Sequence, residues 1–338
     1  MTTSAPAIRL GILGAARIAR LFIQSVRDSK RIEIVAVASR DVERARSFAQ
    51  DMGVPRVHDT YDALLADAGI DAVYNPLANT LHAAWSIRAL DAGKHVLCEK
   101  PLATSVDEAQ RMFEAARRNG VHLVEGYPYR AQPQTIKVRE LLAQGAIGRV
   151  HTVHASFGFP LSDATNIRLN ADLGGGALMD AGSYPVSFVR MVAGERPHRV
   201  QAVARWAETG VDRTLAGNLL FPSGMLGQVS CSFATARHRR AFLVGEEGTL
   251  ATTYFNDTSA TLPPRIELRR GVNLDVPVEM IDTPMAGGFR AEAESFADLI
   301  AHGPGHWTGA TPEESIDIAW TLEALARSAR EEGSLPPR

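Results

Sequence analysis

The strongest constraint on this chain is an alternation in its first 125 residues, where short apolar runs that stop at glycine or polar residues give way to stretches with helical spacing. Ile8–Leu13 halts at Gly14, and Ile18, Leu21, Phe22 and Val26 then recur at helical intervals. Ile32–Ala38 is again apolar and β-branched. Asp41 can cap a second helix, which closes at Gly53. Asp71–Tyr74 reads as a strand, Leu81–Leu90 as a helix ending near Gly93, and Lys94–Cys98 as another strand. Thr104 and Asp107 resemble a capping pair for a helix to Asn119, stopped by Gly120 and followed by the strand Val121–Val124. Strands that are apolar throughout need cover on both faces. Residues 1–125 are therefore expected to form a doubly wound α/β domain with a parallel sheet and right-handed crossovers.

After Glu125 the pattern changes. A helix at Gln134–Leu142 precedes alternating segments at Arg149–Phe157, Arg199–Trp206, Leu215–Phe221, Met225–Phe233, Ala241–Val244, Thr249–Phe255 and Ile266–Arg270. Turns such as Pro222-Ser223-Gly224 and Glu247-Gly248 separate several of them, which favours antiparallel pairing. Gly174–Val192 reads as helical, as do Ala291–Ala301 and Glu313–Glu331, and the tail Gly333–Arg338 is expected to fray. Residues 126–338 are thus expected to be an α+β domain built on a large, open, mainly antiparallel sheet.

Composition closes several routes. Thirty-six basic against 38 acidic residues leave a formal net charge of −2, without the basic stripe of a general nucleic-acid binder. The uncharged run Thr214–Ala236 holds Asn218, Pro222, Ser223, Gly224, Gln228 and Ser230, so it reads as two strands around a turn and not as a membrane span. Cys98 and Cys231 alone give no disulfide framework and no all-cysteine metal site, and His151 and His154 lie apart from other ligand types. No metal is expected. The first residues lack a basic stretch followed by an apolar core, so a cytoplasmic location is expected.

The first strand–helix turn, Gly14-Ala15-Ala16-Arg17-Ile18-Ala19, sits where a dinucleotide-binding loop belongs. Gly14 suits the tight turn and Ala19 close helix–strand packing, whereas Ala16 carries a methyl where a pyrophosphate would approach. The second strand ends in Ser39-Arg40, without the carboxylate that usually reads the ribose hydroxyl of NAD. A hydroxyl beside a guanidinium suits a 2′-phosphate. The preferred cofactor is NADP(H), with NAD as the alternative.

Glu99-Lys100-Pro101 ends an apolar strand with three residues that strand propensity does not require. At the carboxyl end of a parallel strand, Lys100 would face the ligand crevice and could stabilise charge developing on a substrate oxygen. Asp180 and Tyr184 are four apart and share a face if the segment is helical, although Pro185 should kink it. The triplet Gly174–Gly176 permits close backbone approach.

These stretches, together with Tyr74-Asn75-Pro76-Leu77-Ala78-Asn79-Thr80-Leu81-His82, Ala92–Pro101 and Gly174–Pro185, resemble the glucose–fructose oxidoreductase/inositol dehydrogenase (Gfo/Idh/MocA) family over about residues 8 to 190. The resemblance implies a Rossmann domain followed by an open antiparallel sheet, and hydride transfer at a sugar or polyol carbon. It carries the catalytic role onto Lys100. Tyrosine at 184, where many members have histidine, resembles the branch of dihydrodiol dehydrogenases, NADP-dependent D-xylose dehydrogenases and some nucleotide-sugar ketoreductases, and would serve as general acid/base. The resemblance further implies a cofactor site at Gly14, Ala15, Ala16, Arg17, Ile18, Ser39, Arg40, Glu99 and Lys100. In it, Pro76, Asn79 and His82 lie beside the nicotinamide ribose, Gly174–Gly176 near the nicotinamide, and Arg168 reaches the cofactor. Asp180 orients Lys100, binds a sugar hydroxyl, or is an ordinary helix carboxylate. Tyr129 and Arg130 are candidates to line a substrate pocket. A homodimer or homotetramer through the C-terminal sheet is implied too. The expected substrate is a sugar, polyol or vicinal diol. A nucleotide-linked ketosugar remains open, as does a non-catalytic NADP(H)-binding sensor, against which the retention of both Lys100 and Tyr184 speaks.

Overall fold

The computed structural model describes residues 6–331; the expectation for the tail Gly333–Arg338 lies outside them. The chain packs as two units, one comprising residues up to Ala103, Asp107–Ala131 and Gly287–Pro312, the other Thr104–Val106, Gln132–Ala286 and the chain from Glu313 onward.

In the first unit, β1 (Ile8–Leu13), α1 (Arg17–Val26), β2 (Ile32–Ala38), α2 (Val42–Met52), β3 (Arg56–His58), α3 (Tyr61–Leu65), β4 (Ala72–Asn75), α4 (Asn79–Asp91), β5 (His95–Glu99), α5 (Val106–Asn119) and β6 (Leu123–Gly126) alternate as the apolar runs require. The strands form one parallel sheet in the order β3-β2-β1-β4-β5-β6. The winding direction reverses between β1 and β4, and ligands of such sheets bind outside the carboxyl ends of the strands at that point. The punctuation behaves as its chemistry dictates. Asp41 accepts the backbone N–H of Arg44, and Gly53 ends α2 in the left-handed conformation. On α1 the buried face is Ala19, Phe22, Ile23 and Val26, while Leu21 is exposed.

A single cut after Glu125 does not describe the packing. The helix expected to belong with the second half, here α8 (Gly288–His302), sets Phe289, Ala293, Phe296 and Ala297 into the apolar core that holds Phe22, Ile23 and Val26. Ser29 Oγ also donates to Glu294 at 2.9 Å. Helical periodicity identifies the apolar face but not the core that receives it.

The second unit carries α6 (Pro133–Ala143), β7 (Val150–Gly158), α7 (Ser183–Ala193), β8 (Arg199–Trp206), β9 (Asp212–Leu220), β10 (Leu226–Ser232), β11 (His238–Gly245), β12 (Gly248–Thr252), β13 (Ile266–Arg270), β14 (Glu279–Ile281) and α9 (Pro312–Glu331). Its eight strands run in the order β14-β13-β12-β11-β7-β10-β9-β8, antiparallel throughout except for the parallel pair β7–β10. Burial alternates along β9, β10 and β11, so one face is packed and the other carries His154, Gln201, Val203, Asn218, Gln228 and Phe242. Gly174–Gly176 do not begin the helix. A single wide turn at Leu178–Gly182, with π-type spacing, precedes α7. Pro185 lacks an N–H, and its ring would collide with the carbonyl four residues back; widening the preceding turn relieves both problems. No helix among the described residues is long and apolar enough to cross a membrane.

Candidate functional site

In the first unit the glycine turn lies at the β1–β4 reversal. Gly14 has φ +95°, and its N–H donates to the Ala38 carbonyl at 2.7 Å. A Cβ there would come within 2.9 Å of Leu77 Cδ2, so both conformation and space require glycine. Ala15 is buried and Ala16 is the N-cap of α1, with no side-chain cap and no acidic residue in the first turn. Arg17 is exposed, and Ile18 packs its side chain against the core. The leading amides of α1 are thus left for an anion, the condition a dinucleotide diphosphate needs.

Ser39 is buried and Arg40 exposed at the end of β2. Two residues that the sequence reading missed join them. Arg44 Nη2 donates to the Ala15 carbonyl at 2.9 Å, which draws a second guanidinium to the glycine turn. The Tyr61 hydroxyl is pushed up in pKa by burial, against the opposing pull of Arg40 and Arg44 beside it. It would lie 3.7 Å from a Cβ at Gly14. A hydroxyl and two cations at the end of β2 fit a 2′-phosphate better than a bare ribose. Arg44 was discoverable as the residue one helical turn beyond Arg40; Tyr61 carried no local signal.

The turn after β4 places Pro76 in a buried position and opens α4 with Asn79 and Thr80, behind an Ala78 N-cap that has no side-chain cap. His82 is buried, with Nδ1 2.8 Å from the Pro101 carbonyl and Nε2 3.0 Å from the Leu77 carbonyl. Burial pulls its pKa down to about 4, so the ring is neutral near pH 7. A neutral ring donates to only one of these two carbonyls, and His82 packs between the 76–78 turn and the segment after Lys100, bracing two strand ends.

Glu99 is buried and accepts the Tyr74 hydroxyl at 2.6 Å, and the Tyr74 ring stacks on Phe22 at 4.1 Å. Lys100 follows, half-buried, ahead of a cis peptide to Pro101. Glu125 Oε1 on β6 accepts the Leu102 N–H at 2.9 Å, so the backbone after Lys100 is tied to α4 and to β6. Tyr129 and Arg130, expected to line a pocket, are instead sealed in the turn Pro128–Ala131.

In the second unit, Tyr184 is buried at the start of α7. Arg239 on β11 lays its guanidinium carbon 3.8 Å from the Tyr184 ring centroid, and Phe157 meets that ring edge-on at 5.5 Å. Arg239 Nη1 donates to Asn256 Oδ1 at 3.1 Å, and Asn256 Nδ2 donates to the Tyr184 hydroxyl oxygen at 3.0 Å. Arginine has donors only, so its bond fixes which end of the amide faces the phenol. Neither Arg239 nor Asn256 had a sequence signal, because both reach Tyr184 through the fold.

Asp180 lies on the wide turn before α7, and its Oδ2 is 2.6 Å from Arg168 Nε; the two side chains proposed separately are an ion pair. The glycines serve this loop rather than an open ligand surface. A Cβ at Gly175 would meet the Arg168 carbonyl at 2.5 Å, and one at Gly176, whose φ is +117°, would meet Asp212 Oδ1 at 2.3 Å. Asp212 accepts the Leu178 N–H at 2.7 Å, and burial raises its pKa to about 6. Among the described residues no group of three or more His, Cys, Asp or Glu side chains is placed to hold a metal ion.

Comparison with known proteins places the chain among oxidoreductases of one family. A family described as an oxidoreductase family with an NAD-binding Rossmann fold (GFO/IDH/MocA) matches residues 8–127, and the GFO/IDH/MocA C-terminal domain matches residues 135–251. The NADP(+)-dependent D-xylose 1-dehydrogenase 2 of Haloferax volcanii is 39% identical, over 94% of this chain and 96% of its own. The trans-1,2-dihydrobenzene-1,2-diol dehydrogenase of Danio rerio is 35% identical, over 88% of this chain and 89% of its own. The crystal structure of KijD10, a 3-ketoreductase from Actinomadura kijaniata in complex with NADP and TDP-benzene, matches with a TM-score of 0.86 at 32% identity, covering 95% of this chain and 98% of that one.

Proposed function

Because the chain belongs to the Gfo/Idh/MocA oxidoreductase family, we propose that it moves a hydride between NADP(H) and a carbon of a sugar, polyol or vicinal diol. The observation that carries this reading is the seat of Tyr184, a buried phenol that accepts a hydrogen bond from Asn256 under the Arg239 guanidinium. Such surroundings equip a tyrosine to give and take a proton.

The cofactor's diphosphate is assigned to the leading amides of α1 at Gly14, Ala15, Ala16, Arg17 and Ile18, and its 2′-phosphate to Ser39, Arg40 and Arg44. Pro76, Asn79 and Glu99 shape the strand ends beside it. When bound, the nicotinamide supplies the hydride acceptor or donor. Lys100 polarises the substrate oxygen and stabilises negative charge on it. In the oxidising direction the hydroxyl proton passes to the deprotonated oxygen of Tyr184, which becomes a neutral phenol, as the carbon gives up its hydride and becomes a carbonyl; reduction reverses each transfer. Arg168 and Asp180, as a pair, hold the loop beside α7.

Similarity to KijD10 favours a second substrate reading, a nucleotide-linked ketosugar. Incubation with NADP+ and a panel of aldoses, polyols and vicinal diols at raised pH, following absorbance of the reduced nicotinamide, tests the first reading. Oxidation of a simple sugar or diol is the expected result, whereas tight NADPH binding with no turnover of any substrate would return the protein to the sensor class. Exposed Val203 and Phe242 on the uncovered sheet face support assembly of copies through that face, and a single-chain mass in solution would remove that expectation.

A further inference from the structure

We propose that Arg239 and Asn256 are positioning residues for Tyr184, holding its phenol in one orientation and favouring its charged form. The role rests on Tyr184 being the proton carrier described above.

Arg239 is almost fully buried, with its guanidinium carbon 3.8 Å from the ring centroid of Tyr184, 4.8 Å from that of Tyr254 and 4.9 Å from that of Phe157. Three rings around one cation fix where its charge sits, because each ring face attracts it and each ring edge blocks its movement. The same guanidinium holds Asn256 Oδ1, so the Asn256 amide can present only its N–H to the Tyr184 oxygen. The Asn256 backbone is fixed in turn, because Gln132 Nε2 donates to its carbonyl and to that of Ala286. Tyr184 is therefore clamped from two sides by groups that stabilise negative charge, one a full cation and one a hydrogen-bond donor.

Other charged or titratable groups stand on the surrounding elements, among them His238 and Arg240 on β11, His151 and His154 on β7, Arg190 on α7 and Asp257 beside Asn256. Asp180 on the turn before α7 is paired with Arg168, Asp212 at the start of β9 is engaged with the Leu178 N–H, and Cys231 on β10 is buried as a thiol whose pKa burial raises. A free tyrosine ionises near pH 10, so a proton carrier working near neutrality gains from both contacts. Arg239 acts through Tyr184 and does not itself exchange the proton.

The test is a direct titration of the phenol in the full-length protein without substrate. Tyrosines labelled with 13C at Cζ are followed by NMR, and Tyr184→Phe assigns the resonance. Arg239→Gln should raise the Tyr184 midpoint by about one pH unit, about a tenfold weaker ionisation. Asn256→Ala should raise it by less, and Arg239→Lys should recover part of the loss. The acid limb of the kcat/KM profile should move with the midpoint. An unmoved midpoint in Arg239→Gln and Asn256→Ala overturns the proposal. Where Arg239→Gln does not fold, an unmoved midpoint in Arg239→Lys and Asn256→Ala does the same. Full turnover by Tyr184→Phe would overturn the proton-carrier reading and this role with it, whereas an unmoved midpoint beside a disabled Tyr184→Phe overturns the positioning role alone.

Discussion

The two residues given the chemistry are held in different ways. The backbone that carries Lys100 is itself anchored. It ends a buried parallel strand, and the chain around it is tied by His82 to the Pro101 carbonyl and by Glu125 to the Leu102 N–H. Tyr184 is positioned by side chains. Its ring and hydroxyl meet Arg239, Phe157 and Asn256, the last 72 residues away. Backbone scaffolding fixes where a side chain starts and leaves its electrostatics to its neighbours, whereas a cage of side chains sets orientation and charge together. Substitutions around Lys100 should therefore act mainly through stability, and substitutions around Tyr184 mainly through the pH dependence of turnover.

Removing each residue gives the largest effects and the first test of that contrast. Lys100→Ala should abolish measurable turnover while leaving NADPH affinity within about a few fold, because charge on the substrate oxygen loses its cation but the diphosphate and 2′-phosphate contacts remain. Equal activity in the variant would end the mechanism. Tyr184→Phe removes one oxygen and keeps the ring against Arg239, so the fold should persist and the rate fall by roughly 10² to 10⁴, the usual contribution of a positioned acid or base. A loss of folding stability as large as the loss of rate would show the phenol to be a packing element instead.

The same contrast explains what was legible in the sequence. Glu99-Lys100-Pro101 could be read because its neighbours are adjacent in the chain and its place at a strand end follows from an apolar run. The parallel sheet was legible for that reason, apart from β3 and α3, which are three and five residues long and too short to show a period. Pro185 announced an irregular helix, and the wide turn before α7 is the form it takes. The seat of Tyr184 was not legible, since Arg239 reaches it only after β11 pairs with β7. Nor was the destination of α8, because an amphipathic pattern fits any core of matching shape. The surroundings of His82 were not legible for a related reason: the two carbonyls that its ring faces lie on segments separated from each other in the chain.

Arg40 sharpens the comparison at the cofactor end. If the end of β2 reads a 2′-phosphate, Arg40→Ala should weaken NADPH binding by about tenfold, the worth of one charge-assisted hydrogen bond, and leave NADH binding nearly unchanged. Protein fluorescence during cofactor titration measures both without turnover. Equal weakening of the two cofactors would show that Arg40 serves the loop rather than the phosphate, leaving Arg44 as the phosphate-reading cation.

The smallest expected effect separates the two ends of β5. At its carboxyl end stand Glu99 and Lys100; at its amino end His95 stacks on His122 at 5.3 Å and accepts the His122 N–H at 3.0 Å. Burial, and then repulsion from His122, pull the His95 pKa down to about 4, against a weaker opposing pull from Asp71. In the unfolded chain the same ring titrates near 6.5. Below that value the unfolded state takes up a proton that the folded state resists, so stability present above pH 6.5 is lost progressively as the pH falls toward 4. With the ring partly solvated, the loss between pH 7.5 and 5 should be about 1 kcal/mol. His95→Asn retains an acceptor for the His122 N–H and removes the titration. Urea unfolding of both proteins at the two pH values should show a smaller acid loss in the variant, with turnover at pH 7.5 unchanged. If the variant loses as much as the native protein, the acid sensitivity lies elsewhere; if its turnover falls, the two ends of β5 are mechanically coupled and the separation between scaffold and site drawn for Lys100 does not hold.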